Sequence, residues 1–245
     1  MADTPGSLAR GHAGRMRPRY AIYYAPARES ELWRKASAWL GRDAYDGARK
    51  DRPEFPELGG LDLDVLTSDP RGYGFHATLK APFELAETHS ESELLTFAAE
   101  FARTRPAFSA TIRPDRIGLF HALRLMEPSE DMSALHKACV KAFDPFRAPL
   151  TDHDIARRRR AGLSEDQDRK LLAWGYPYIF DEFRFHMTLT GAIRDPVVSD
   201  RIGAVLSDHF GNDAGPHLFD GIAIFHQPDR ESPFDILGRM TFGQS

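Results

Sequence analysis

The spacing of apolar residues divides the first part of the chain into a strand, a helix and a loop. An apolar run at residues 20–25 predicts a strand that Pro26 ends. A helix is predicted at residues 32–40, where apolar side chains recur at helical spacing, and Gly41 is placed to terminate it. Residues 42–60 are rich in glycine, proline and charge, which is typical of a loop.

Beyond this loop the same order of elements, strand, helix, strand, strand, occurs twice. Strands are predicted near residues 73–80, 107–113, 117–126, 183–190, 219–227 and 234–242, and helices near 90–103, 130–143 and 197–210. Ser90 with Glu93, and Ser164 with Gln167, have the spacing of capping boxes at helix starts. The repeated order predicts an α+β fold of two pseudo-symmetric lobes of antiparallel sheet, with flanking helices forming a central cleft.

The repeated order also predicts the domain organisation. We interpret residues 19–245 as a single two-lobed domain and residues 1–18 as a disordered leader. Residues 151–182 interrupt the repeat and predict a helical insertion. This segment contains four consecutive arginines, 157–160, which form either a lid over an anionic ligand or a solvated helix face.

Two nearly identical pentapeptides occur, one in each half of the repeat: Phe-His-Ala-Thr-Leu at residues 75–79 and Phe-His-Met-Thr-Leu at residues 185–189. A strand turns successive side chains to opposite faces, so the apolar residues point into a core while His and Thr point away from it. Composition alone would give such a pair only in roughly a few chains per thousand. The pair predicts two imidazoles that face each other across one cleft. The alternative is two similar core strands whose His and Thr bond only to nearby backbone.

These side chains suit the cleavage of a phosphodiester. His76 and His186 would act as base and acid, because an imidazole with a pKa near its usual value of about 6.5 serves either role around neutral pH. Thr78 and Thr188 would donate hydrogen bonds to the non-bridging phosphate oxygens. The arrangement requires neither a metal nor a cofactor, and the sequence contains no HExxH, dinucleotide-binding or Walker pattern. Which histidine is the base stays open at this stage.

Strand alternation adds further candidates for binding the substrate. Lys80 and Arg184 fall on the same strand faces as the histidines and are suited to a phosphate, the alternative being solvated cations at strand ends. Tyr23 and Tyr178 are candidates for contacts with a sugar, base or phosphate, the alternative being packing in the core or at its rim.

The composition restricts the class of protein. A net charge of −4 over 245 residues provides no basic field for a long nucleic acid. Cys139 is the single cysteine, which excludes an internal disulfide and a cysteine-based metal site and fits a reducing cytosol. No apolar run reaches the roughly 18 residues of a membrane span. We therefore expect a cytoplasmic monomer without membrane association, whose partner is a small-molecule phosphate ester.

The paired motif resembles that of the two-histidine (2H) phosphoesterase superfamily, which includes RNA 2′,3′-cyclic phosphodiesterases. The closer resemblance is to a bacterial branch that is found with phosphonate-metabolism genes and is described as a domain of unknown function. The resemblance implies that His76 and His186 are the catalytic pair, that Thr78 and Thr188 donate to phosphate, and that the substrate is a sugar phosphate such as a ribosyl cyclic phosphate. It is carried by residues 19–24, 70–80, 174–178 and 183–189.

Three functions are compatible with these observations. The first is metal-independent hydrolysis of a small, cyclic phosphate ester. The second is RNA 2′,3′-cyclic phosphodiesterase activity, which the acidic net charge disfavours because RNA binding relies on neutralising phosphates. The third is a non-catalytic module that binds a phosphorylated ligand, with the histidines acting only as hydrogen-bond donors.

Overall fold

A computed structural model describes residues 17–243, in which eight strands and eight α-helices are formed. The predicted leader, residues 1–18, lies outside the described residues except for its last two. The strands are β1 (Arg19–Tyr24), β2 (Ala77–Glu84), β3 (Phe108–Ile117), β4 (Phe120–Leu125), β5 (His186–Thr188), β6 (Gly215–Phe219), β7 (Gly221–Gln227) and β8 (Asp235–Thr241). The helices are α1 (Glu31–Leu40), α2 (Leu63–Leu66), α3 (Ser68–Tyr73), α4 (Glu91–Arg103), α5 (Glu130–Ala142), α6 (Asp152–Arg159), α7 (Glu165–Trp174) and α8 (Pro196–His209).

All eight strands belong to one sheet, in the order β6-β3-β4-β5-β2-β1-β7-β8. Each pair of neighbours in this order is antiparallel. The two motif strands, β2 and β5, are neighbours at the centre of the sheet, where Ala77 stands opposite Met187. The α+β class with antiparallel strands and flanking helices is therefore confirmed.

The two halves of the sheet do not correspond to the two halves of the chain. The hairpin β3–β4 follows β2 in sequence but joins the half of the sheet that contains β5 and β6. The hairpin β7–β8 follows β5 in sequence but joins the half that contains β1 and β2. The predicted lobes are thus two four-stranded halves of one continuous sheet, and each is completed by a hairpin from the other half of the repeat.

Several predicted boundaries differ from the structure. Residues 68–73 form α3, so β2 begins at Ala77, after Gly74 has changed the chain direction with a φ of +75°. The predicted strand at 219–227 is divided at Asp220 into β6, which pairs with β3, and β7, which pairs with β1 and β8. The predicted insertion contains α6, α7 and a short 3₁₀ turn, Phe180–Glu182.

Local signals in the sequence correspond to helix ends in the structure. Both predicted capping boxes form: Ser90 accepts from the backbone N–H of Glu93, and Ser164 accepts from that of Gln167. Gly41 ends α1 in the left-handed region, with φ +79°.

The apolar residues of both motifs are buried, as alternation predicts: Phe75, Ala77, Leu79, Phe185, Met187 and Leu189.

Candidate active site

The pairing of β2 with β5 brings the two motifs together on one face of the sheet. Ala77 opposite Met187 in an antiparallel pair makes His76 the cross-strand neighbour of Thr188, and Thr78 that of His186. The two Cβ atoms of such a neighbouring pair are about 5 Å apart. Each histidine therefore lies beside the threonine of the other motif.

Both imidazoles are held by the same type of hydrogen bond. Nδ1 of His76 donates to the carbonyl oxygen of Gly74 at 2.9 Å, and Nδ1 of His186 donates to that of Arg184 at 2.7 Å. A carbonyl oxygen only accepts, so the proton of each neutral ring is placed on Nδ1 and Nε2 carries the free lone pair. Nε2 of His76 lies 3.4 Å from the hydroxyl of Thr78.

The environments of the two rings differ. His76 lies between two tyrosines, stacked on Tyr23 with a centroid distance of 3.9 Å and flanked by Tyr73 at 5.9 Å. Tyr23 is only 1% exposed, so this predicted binding residue supports the imidazole as well as lining the cavity. His186 has the ring of Phe120 at 5.8 Å and stands opposite Arg124 in the β4–β5 ladder.

The surroundings favour the neutral form of both histidines. Burial lowers the pKa of His76 to about 4, a shift that the hydrogen bond to Gly74 opposes and the charge of His186 reinforces. Burial also lowers the pKa of His186, with the carbonyl of Arg184 opposing the shift and Arg124 reinforcing it. A phosphodiester anion between the rings would supply the charge that stabilises an imidazolium.

Two adjoining cavities open from this face of the sheet. The first, of about 470 Å³, is lined by His76 and Thr188, and the second, of about 320 Å³, by His186 and Arg184. Four residues line both cavities, which therefore form one cleft: Thr78, Ala81, Tyr176 and Tyr178. Seven of the eight predicted site residues line this cleft: Tyr23, His76, Thr78, Tyr178, Arg184, His186 and Thr188.

The prediction that Lys80 faces the cleft is corrected by the structure. The register of β1 with β2 shifts between Ile22 and Tyr23, so Lys80 stands opposite Ile22 and the two-residue alternation from His76 is interrupted. Its ammonium group is buried, donating to Asp144 at 3.0 Å and to the carbonyl of Val140 at 3.1 Å. Lys80 therefore ties β2 to the end of α5.

Other residues near the two histidines were not identified as site residues from the sequence. Arg124 reaches the histidine face through strand pairing and is held by Asp115 at 2.7 Å. His136, on α5, lines the cavity of His186. Arg157 and Arg158, from the run of four arginines, line the cavity of His76. That run was the only sequence signal for these residues, since the contacts of the others depend on tertiary pairing.

Within residues 17–243, no group of three or more His, Cys, Asp or Glu side chains is arranged to hold a metal ion. In the same range, none of the helices combines the length and the apolar character that a membrane crossing requires.

Curated relatives match most of this chain. A protein of Janthinobacterium sp. (strain Marseille) named "Ribose 1,5-bisphosphate phosphokinase PhnN" is 38% identical over 231 residues, which are 91% of this chain and 51% of that protein. A protein of the same name from Laribacter hongkongensis (strain HLHK9) is 34% identical over 220 residues, 89% of this chain and 50% of that protein. The chain thus spans about half the length of these relatives.

Among solved structures, E. coli LigT complexed with 3′-AMP is similar at a TM-score of 0.42 and 13% identity, covering 93% of this chain and 99% of that chain. The protein TT0787 of Thermus thermophilus is similar at a TM-score of 0.40 and 14% identity, also covering 93% and 99%. Similarities at this level carry no inference about activity. A family model described as "Protein of unknown function (DUF1045)" matches residues 78–235.

Proposed function

The chain belongs to the DUF1045 family, and we propose that it is a metal-independent phosphodiesterase of the 2H type that hydrolyses a small, cyclic phosphate ester. The observation that carries this proposal is the matched pair His76 and His186. His76 immediately precedes β2 and His186 begins the neighbouring strand β5; both anchor Nδ1 in the same way and line one cleft. The fold supplies two preorganised imidazoles, and the assignment of a reaction to them is our inference.

The proposed reaction proceeds with the phosphorus atom between the two imidazoles. One neutral Nε2 takes a proton from water as the water oxygen bonds to phosphorus. The P–O bond to the leaving oxygen breaks, and the opposite imidazolium gives that oxygen its proton. Thr78 and Thr188 donate to the non-bridging oxygens, where negative charge increases. The product is a phosphate monoester, and one molecule of water is consumed.

The substrate that we propose is a ribosyl cyclic phosphate of phosphonate breakdown. The relatives are named for a kinase that acts on ribose 1,5-bisphosphate, and this chain matches about half of them. The chain contains no Walker phosphate-binding loop, so we attribute the kinase name to the remainder of those proteins. Hydrolysis of a cyclic phosphate on ribose yields a ribose phosphate monoester, the same class of compound on which a ribose bisphosphate kinase acts.

Two other functions are compatible with the same site. The first is an RNA 2′,3′-cyclic phosphodiesterase, which would need the cleft to admit a nucleotide. The second is a module that binds a phosphorylated ligand without reacting, in which the threonines and histidines only hydrogen-bond the phosphate.

A screen of cyclic phosphodiesters separates these possibilities. Ribose cyclic phosphates and 2′,3′-cyclic nucleotides are offered to the wild type, to His76→Ala and to His186→Ala. We expect each substitution to reduce turnover by about 10²-fold or more, because each removes one proton transfer. His153→Ala is the matched control, since His153 is an exposed histidine of α6, and it should keep wild-type turnover.

The outcomes distinguish the three functions. Turnover of ribose cyclic phosphates that requires both histidines supports the proposal, and preference for cyclic nucleotides supports the RNA alternative. Wild-type turnover in both histidine variants, with the proteins folded, would rule out the acid–base mechanism. Tight binding of the esters without turnover by the wild type would leave the binding module.

A further inference from the structure

A third cavity, which the proposed reaction does not use, adjoins the cavity of His76. Its volume is about 890 Å³, and it shares Arg19, Tyr73 and Arg157 with the cavity of about 470 Å³ that contains His76. We call it the arginine cavity because six arginines line it: Arg19, Arg42, Arg49, Arg71, Arg157 and Arg230. Three carboxylates also line it, those of Asp64, Asp69 and Glu231.

Most of these arginines already have carboxylate partners. Arg42 pairs with Asp235, Arg71 with Asp64, and both Arg157 and Arg230 with Asp154. Within the described part of the chain, Arg19 and Arg49 form no such ion pair. Arg49 is exposed to solvent, whereas Arg19 is partly buried at the junction of the two cavities. Arg19 is therefore the cation whose charge is least compensated.

The partners of Arg19 are neutral. Its Nε donates to the side-chain oxygen of Gln227 at 2.8 Å, and Nη2 donates to the same atom. Burial lowers the pKa of Arg19, and the positive charges of Arg230 and Arg157 reinforce that shift. A cation held out of water beside two other cations is unfavourable unless an anion joins it.

The guanidinium is also held in place. The amide nitrogen of Gln227 donates to the carbonyl of Ser232 at 2.7 Å, which directs the amide oxygen toward Arg19. The guanidinium carbon lies 5.5 Å from the ring centroid of Phe234, a cation–π distance. A fixed guanidinium can bind a phosphate with two parallel hydrogen bonds and loses little conformational entropy in doing so.

We propose that Arg19, assisted by Arg157, binds a second phosphate group of the substrate while the cyclic phosphodiester lies between His76 and His186. This inference rests on the proposed function and narrows its substrate class to cyclic sugar phosphates that carry an additional phosphate monoester. The His76 cavity and the arginine cavity adjoin, and each falls within the range of roughly 300–1,000 Å³ that small-molecule sites occupy. The second phosphate binds on the side of His76, since the cavity of His186 does not include Arg19.

The test compares two substrates that differ by one group, ribose 1,2-cyclic phosphate with and without a phosphate on its 5-oxygen. The measured quantity is the ratio of their kcat/KM values. In the wild type we expect a ratio of about 10 to 100 in favour of the phosphorylated ester. This is the fold-change that one hydrogen-bonded contact between charged groups provides. Arg19→Gln should lower this ratio by about 10-fold or more. Arg34→Gln, at an exposed position of α1, should leave the ratio unchanged.

A second variant separates phosphate binding from a purely structural role of Arg19. Gln227→Glu places a carboxylate against the guanidinium, which neutralises it and competes with a phosphate. If Arg19 binds the substrate, the ratio falls in Gln227→Glu as well. A ratio that stays at the wild-type value in Arg19→Gln or in Gln227→Glu, with both proteins folded, overturns the inference.

The failure of this site and the failure of the proposed function give different results. Wild-type hydrolysis of both esters at equal kcat/KM overturns the second phosphate site and leaves the phosphodiesterase in place. If the wild type hydrolyses neither ester, the phosphodiesterase proposal fails, and calorimetric titration with the phosphorylated ester then decides about the site. If Arg19→Gln binds the ester about 10-fold more weakly than the wild type, the second phosphate site is supported. If the wild type and Arg19→Gln bind it with equal affinity, the site is overturned.

Discussion

At the scale of single residues, the backbone determines which nitrogen of each histidine can react. His76 and His186 both donate Nδ1–H to the carbonyl of the residue two positions earlier, Gly74 and Arg184. A backbone carbonyl has no proton to exchange, so this tautomer is retained whatever the pH does to neighbouring side chains. Burial lowers the pKa of both imidazoles and outweighs the opposing effect of the carbonyl hydrogen bonds, whereas a charged carboxylate in their place would raise the pKa further.

The lowered pKa values predict how the rate depends on pH. Since kcat/KM reports the groups of the free enzyme, its bell-shaped profile should have its maximum on the acidic side of about 6.5. Arg124 lowers the pKa of His186, so Arg124→Gln should raise that pKa. One limb of the profile then moves to higher pH. The limb that moves shows whether the pKa of His186 is the higher or the lower of the two.

The control for this experiment is Arg113→Gln. Arg113 stands opposite Arg124 in the β3–β4 ladder and carries the same charge, but it is not among the groups that shift the pKa of His186. Its profile should match that of the wild type. A profile of Arg124→Gln that stays in place, or that moves to lower pH, would contradict the electrostatic account of His186.

At the scale of elements, the junction between α3 and β2 sets the position of His76. Gly74 ends α3 with a φ of +75°, and its carbonyl accepts the hydrogen bond from His76. A Cβ added to Gly74 would lie 2.5 Å from the Cβ of Ala44. The turn and the orientation of the His76 ring therefore depend on the same residue.

We expect Gly74→Ala to reduce both stability and turnover. The strained φ and the contact with Ala44 together should cost about 2–4 kcal/mol in the free energy of unfolding, measured in urea. Gly60→Ala is the matched control, because Gly60 has a φ of +84° but no atom within 4 Å of an added Cβ. It should cost only about 1 kcal/mol. If both variants lose the same free energy of unfolding, crowding at Ala44 does not contribute to the destabilisation of Gly74→Ala.

A second link between elements joins the segment before β5 to β2. His136, on α5, donates Nδ1–H to the carbonyl of Leu79 at 2.9 Å, and its Nε2 accepts from the backbone N–H of Phe180 at 3.0 Å. Its ring stacks on Phe183 at 3.9 Å. Among the described residues, Phe180 is the one non-glycine position with a positive φ, 59°. The neutral ring thus holds a strained turn just before the second motif strand.

This link predicts that stability falls in acid. Burial lowers the pKa of His136 to about 4 in the folded state, against about 6.5 when unfolded, so the unfolded chain binds more protons between these values. The stability from the neutral ring is complete above a pH of about 6.5 and is lost as the pH falls through about 4. His76 contributes in the same direction, since its pKa is also about 4.

The variant His136→Leu tests the contribution of this ring. Its free energy of unfolding should be lower than that of the wild type at pH 7, because the N–H of Phe180 loses its acceptor. Between about pH 7 and pH 4.5, however, the free energy of unfolding should decrease less in the variant than in the wild type. The difference between the two decreases should be on the order of 2 kcal/mol. The same decrease in both proteins, measured by urea unfolding at each pH, would contradict the assignment.

At the scale of the whole molecule, the exchange of hairpins builds one continuous sheet from both halves of the chain. β3–β4 supplies Arg124 beside His186, while β7–β8 and the loop between these strands supply Gln227 and Phe234 beside Arg19. Each half of the sheet therefore places residues from both halves of the chain beside His186 or beside Arg19. A fragment that ended between the two motifs would lack half of the site.

The site as a whole is built without a metal-binding cluster in residues 17–243. If the two imidazoles supply both proton transfers, turnover of the cyclic ester should be unaffected by prolonged treatment with EDTA. The measurement is the initial rate before and after chelation, with zinc or manganese added back. Activity that disappears in EDTA and returns with either metal would contradict the two-histidine mechanism.

Sequence patterns that involve only residues close together in the chain correctly predicted helix starts and the buried face of the motif strands. The capping boxes at Ser90 and Ser164 form because their hydrogen bonds join residues three positions apart. The burial of Phe75 and Leu79 follows from the two-residue period of a strand. The same period placed Lys80 wrongly, because a register shift in the β1–β2 pair breaks it and sequence periodicity does not reveal which strand lies alongside.

The sequence by itself determined the α+β class, the two motif strands and the burial of their apolar residues, because alternation and helix capping are local properties of the chain. Only the tertiary structure decided that β2 and β5 are neighbours, that Arg124 approaches His186 and that Arg19 borders the cavity of His76. Those contacts join residues far apart in sequence. They depend on how exchanged hairpins pack against one core, which periodicity along the chain does not encode.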